Sequence, residues 1–96
     1  MERKPLDELL VNFFESVSVT ANVYAEIHDD VRTATVGRLW EMLEKMHQAY
    51  GMAWSAKTLA ERIGLTDKAR LLSRHCLLLE GRIHRVKQEL RIRRVL

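Results

Sequence analysis

Residues 65–90 read LTDKARLLSRHCLLLEGRIHRVKQEL, and the apolar members of this run keep a helical rhythm. Leu65, Ala69, Leu72, Cys76, Leu79, Ile83, Val86 and Leu90 follow one another at alternating steps of four and three. That alternation places them along one side of an α-helix. Thr66 suits the N-cap, and the helix is expected to run to residue 94, roughly 45 Å at about 1.5 Å per residue. A seam this regular is the mark of a coiled coil or a helical bundle. Leu72, Cys76, Leu79, Ile83, Val86 and Leu90 are therefore expected to form an oligomer seam. Leu71, Leu77 and Leu78 add apolar surface off the seam, so the first half of this helix is expected to be enclosed on several sides. Beyond Gly81 only the seam and Ile92 stay apolar, so the second half is expected to protrude or to pair with another chain.

The same rhythm occurs twice upstream. Leu6, Leu10, Phe13, Val17, Thr20, Tyr24 and Ile27 define a first helix over about residues 5–28, widened by Val11 and Phe14. Pro5 fits the first turn, and Asp7 and Glu8 favour the positive helix end. Asp29 and Asp30 are expected to stop this helix and to offer N-caps to the next. Val36, Leu39, Leu43, Met46 and Tyr50 define a second helix over about 31–50. At Gly51 the apolar phase slips to Met52, Ala56, Leu59 and Ile63, which reads as a helix end followed by a short helix over 53–63, with Ser55 as its cap. One bent helix from about 31 to 63 is the alternative. The expectation is a single all-α domain, a three- or four-helix antiparallel bundle with a long C-terminal helix, associating as a homodimer.

Composition agrees. With 96 residues, 47% apolar, the chain supports one modest core. A chain this small often gains stability from self-association. One proline and four glycines leave little turn material for a many-stranded β fold. No apolar run is long enough to span a membrane. The single cysteine makes no internal disulfide, and a reducing, cytoplasmic setting is expected. Acidic residues near the start break up any signal-peptide core.

The net charge of +3 conceals an asymmetry. Residues 1–61 carry six Lys/Arg against ten acids, whereas residues 62–96 carry ten Lys/Arg against three. The basic final helix, with Arg82, Arg85, Lys87, Arg91, Arg93 and Arg94, is expected to engage an anionic partner. Nucleic acid stands slightly ahead of an acidic protein, and the acidic portion of another copy would satisfy the same charges. The opposing possibility is that these cations only solvate the helix and complement its C-terminal end. No aromatic residue lies among them in sequence, so stacking on single-stranded bases is not indicated.

Other patterns bear on function. Trp40, Met46 and Trp54, with Met42 and Met52, cluster around the middle segment. If open, that cluster would make an adaptable protein-binding groove for an adaptor, chaperone or inhibitor, although core packing accounts for it as well. Thr58–Thr66 is similar to the first helix and turn of a helix-turn-helix, but Arg70 and Ser73 stand where a recognition helix needs apolar anchors. Glu44 and His47 match the Glu-x-x-His unit of di-iron bundles, with Glu15 at comparable depth, but the remaining ligands are missing and no metal is expected. The run Arg70–His75 resembles the Arg-x4-His element of the HEPN superfamily, whose small helical dimers include metal-independent RNases. That resemblance implies a guanidinium holding a phosphodiester while an imidazole moves the proton. No phosphate loop, nucleophile elbow or cofactor fingerprint accompanies it. The leading expectation is a small non-catalytic regulatory protein with no cofactor and no small-molecule substrate. An adaptor stands second, and an RNase using Arg70 and His75 third.

Overall fold

The computed structural model describes residues 5–25 and 30–96, with side chains described from Glu8 to Tyr24 and from Asp30 onward. These residues form three helices and no strand: α1 (Pro5–Ala25), α2 (Val36–Arg62) and α3 (Thr66–Ile92). Ile27, His28 and Asp29 lie outside the described residues, as does the side chain of Leu6.

The four-helix alternative gives way to a continuous α2 that runs through Gly51. Its buried line is Leu39, Met42, Leu43, Met46, Ala49, Ala53, Ala56 and Ala60. The apparent slip to Met52 and Ile63 arises because large apolar residues dominate a reading by periodicity, whereas the second half of α2 packs through alanines. Met52 and Ile63 are each 45% exposed, and Ser55 sits in mid-helix. Small side chains let α2 and α3 approach closely here, facing Ala69, Leu72, Cys76 and Leu79 of α3.

The helix ends are set by local chemistry. Thr35 caps α2, its hydroxyl accepting the Arg38 N–H at 3.1 Å. Asp30 instead folds the preceding loop, accepting the Arg32 N–H at 3.0 Å. That hydrogen bond holds its carboxyl below the usual range. Leu65 occupies the N-cap of α3 without a side-chain bond, so Thr66 is the first helical residue rather than the cap. Gly64 makes the turn at φ 80°, a left-handed conformation that a residue with a Cβ adopts at a cost.

Two ties show that α2 and α3 run antiparallel along their whole length. The Tyr50 hydroxyl donates to Glu80 at 3.0 Å, and Arg93 reaches the loop before α2. This hairpin is the larger interface, and α1 packs against both its helices. α1 contributes Leu10, Phe14, Val17, Ala21 and Tyr24, so its inner stripe passes through Phe14, and Phe13 stays 42% exposed. The result is a rod of 59 × 17 × 17 Å.

The expected oligomer seam is spent inside the chain. Leu72, Cys76, Leu79, Ile83, Val86 and Leu90 are all buried within the chain itself. Nor is the first half of α3 enclosed on several sides: Leu71, Leu77 and Leu78 are 39%, 68% and 50% exposed. The second half does not protrude, because the loop between α1 and α2 is fastened to it.

Candidate functional site

The fastening is Arg93. Its guanidinium donates to the carbonyl oxygens of Ala34 at 2.6 Å, Val31 at 2.9 Å and Arg32 at 3.0 Å. It also pairs with Glu89 at 3.2 Å. Glu89 is buried and faces Arg85 as well, at 3.7 Å. A planar fork with five donors meets several acceptors at fixed angles, which an ammonium does not. Arg93, expected among the partner-binding cations, is thus a structural clamp.

The other five cations do not share a surface. Arg82 and Arg85 line a cavity of about 330 Å³ with Asp30, Val31, Arg32, Met42, Met46 and Val86. The loop that precedes α2 forms one wall of this cavity. Lys87 and Arg91 turn to the opposite side. Arg94 lies beyond the helix in a left-handed conformation, φ 59°.

On that opposite side, two cavities of about 410 and 200 Å³ share Tyr50 and Glu80 and so join into one groove between α2 and α3. Cys76 and Ile83 form its buried floor. Tyr50 and Trp54 wall it from α2, with Trp54 49% exposed, and Leu77 faces them from α3. A hollow of about 520 Å³ lined by α2 residues alone, Trp40, Glu41, Leu43 and Glu44 among them, adjoins the groove at His47. Tyr50 stacks on Trp54 with ring centres 6.3 Å apart, and the Lys57 ammonium sits 4.1 Å above the Trp54 ring. These contacts hold the aromatics in place before anything binds. Lys57, Lys87 and Arg91 edge the groove with a single acid, Glu80, and with His47 and His84. Of the expected patch, Trp54 belongs to it and Trp40 to the adjoining α2 hollow, whereas Met46 is in the core at 1% exposure. Met46 falls on the buried side because it follows Leu39 and Leu43 on the same helical stripe. Tyr50, Leu77 and Lys57 belong to the groove too. Their link across two helices becomes visible only once the hairpin register is known.

Two side chains of the groove, Tyr50 and Cys76, are held in their neutral forms. The Tyr50 phenol is pushed up, first because it donates to the Glu80 carboxylate and then by burial. Burial also pushes the Cys76 thiol up, with Lys57 opposing, so this is an inert cysteine of the floor.

The remaining candidates separate. His75 is buried, its Nδ1 has no hydrogen-bond partner, and burial, aided by Arg74, lowers its pKa. Arg70 is exposed, and five residues along a helix turn through about 140°, so the two side chains diverge. Glu44 and His47 line one cavity, yet among the described residues no three His, Cys, Asp or Glu side chains are grouped to hold a metal. The turn at Gly64 folds α3 back along α2 rather than crossing it as a helix-turn-helix does. Among the described residues no helix is long and apolar enough to cross a membrane. No family model matches the chain, and neither curated proteins nor solved structures give a significant match.

Proposed function

We propose that the protein is a non-catalytic binding module whose α2–α3 groove receives an acidic, amphipathic helix. The observation that carries this reading is the joining of two cavities into one channel between α2 and α3, with an apolar floor, an aromatic wall and three cations against one acid at its edges. Three packed helices leave the position of a fourth open there, and helix-in-groove recognition uses this combination of apolar anchors and flanking charge. Tryptophan in such a wall is a strong anchor. Lys87 and Arg91, two of the cations expected to meet an anionic partner, edge the same groove that Trp54 walls, which supports joining the two expectations. Nucleic acid fits less well, because its phosphates need cations along one track and those of α3 are divided between two sides, with Arg93 and Arg85 engaged by Glu89.

The test follows Trp fluorescence while the protein is titrated with a model amphipathic peptide of Leu and Glu. A saturable shift is expected, weakened roughly tenfold by Lys87→Glu with Arg91→Glu, since about 1.4 kcal/mol is a factor of ten in affinity. A Leu/Lys peptide is expected to bind poorly. Equal binding of both peptides, or response to a single-stranded oligonucleotide alone, would overturn the reading.

A further inference from the structure

We infer that the helix received by the groove is α1 of a second copy of this chain, so that molecules associate head to tail. The inference rests on the groove being a helix-receiving site and adds which helix fills it.

α1 is apolar on two sides. Its inner stripe is committed to the core. Its outer side carries Leu9, Phe13, Ser16, Val19 and Val23, at steps of four, three, three and four. Leu9, Val19 and Val23 are 65%, 64% and 56% exposed, and the fold gives this stripe no cover. The spacing averages half a heptad, the repeat at which one helix lies along another. From Leu9 to Val23 the stripe covers about 21 Å, and from Ser73 to Arg91 along α3 the groove covers about 27 Å, at about 1.5 Å per residue.

Charge selects the pairing. α1 carries Asp7, Glu8 and Glu15 and no Lys or Arg, and Glu8 and Glu15 are exposed along one flank of the outer stripe. The groove between α2 and α3 is edged by three cations, Lys57, Lys87 and Arg91, against one acid, Glu80, which Tyr50 engages. Two grooves face to face would bring these cations together, and two outer stripes would bring the acids together. Stripe to groove is the arrangement that opposes unlike charges.

A molecule does not fill its own groove, since among the described residues none of α1 lines it. The contact is heterologous: one molecule's stripe enters the next one's groove, and the row stays open unless its geometry closes into a ring.

Sedimentation velocity on the full chain tests this. The wild type is expected to gain mass with concentration and to lose it in high salt. A donor variant, Val19→Lys with Val23→Lys, and an acceptor variant, Lys87→Glu with Arg91→Glu, alter only positions outside the buried core, and unchanged helical circular dichroism verifies the fold. Each alone is expected to remain monomeric, with association weakened tenfold or more. Mixed in equal amounts they are expected to form a one-to-one pair and nothing larger, since one groove and one stripe remain intact. A wild type that stays monomeric at the highest concentration, either variant associating alone, or no pair in the mixture would each overturn the inference. Retained binding of the Leu/Glu peptide by a monomeric wild type would leave the groove reading standing. Loss of both would remove the two together.

Discussion

Arg93 and His75 show what single side chains do in this protein, in opposite senses. Arg93 satisfies three loop carbonyls and a buried carboxylate together. Replacing it with Ala strands Glu89 and frees the loop, and is expected to cost about 2–4 kcal/mol of stability in a denaturant titration. Arg93→Lys is expected to recover little, because one ammonium reaches fewer acceptors. A change below about 0.5 kcal/mol for Arg93→Ala would refute the clamp. His75 is a burden instead. Burial holds its folded pKa below the ordinary 6.5, so the unfolded chain takes up a proton that the folded chain refuses. Stability tied to His75 is complete above about pH 6.5 and falls as pH drops from there towards the lower folded pKa. His75→Leu is expected to flatten the Tm between pH 7 and pH 5.5 and to raise it at the acid end; an unchanged slope would place the dependence elsewhere. A sequence shows that arginines are numerous here, but the choice of Arg93 as clamp depends on the carbonyls of residues 31–34 lying within reach. No local pattern encodes that.

At the level of elements, the helices were legible and their boundaries less so. The four-three rhythm marks α3 correctly because its buried face is built of large side chains. The rhythm misreads α2 because half of that helix's buried face is alanine, a residue that marks neither inside nor outside by itself. Gly51 compounded the misreading by resembling a helix end. It is exposed within α2, and a Cβ added there meets nothing within 4 Å. Gly51→Ala is therefore expected to stabilise the fold by about 0.5–1 kcal/mol, whereas Gly64→Ala, at its left-handed turn, is expected to destabilise it by about 1 kcal/mol. Opposite signs from one substitution type in thermal melts are the check. A destabilised Gly51→Ala would mean that α2 is broken after all. The groove was half legible: Trp54 stood out, but joining it to Leu77, Lys87 and Arg91 required the register set by the turn at Gly64.

The whole molecule is a slender three-helix rod. Its radius of gyration of 16.0 Å exceeds the roughly 12–13 Å of a compact chain this size. X-ray scattering of the dilute protein is expected to give a value near 16 Å. With rising concentration the cross-section is expected to grow before the length does, since helices lying in neighbouring grooves add width. Growth in length alone would place the association at the rod's tips and count against the groove.

The clamp also joins distant parts of the sequence. The last turn of α3 is buckled to the connection that leads out of α1, so the two come undone together. Cutting the chain after Ile92 would remove the buckle, and α1, itself untouched, would exchange its amide protons faster than α2 or most of α3. A bulky fusion placed straight after Arg94 would strain the same fastening. Where a tag is attached would then decide how firmly a helix some seventy residues away is held.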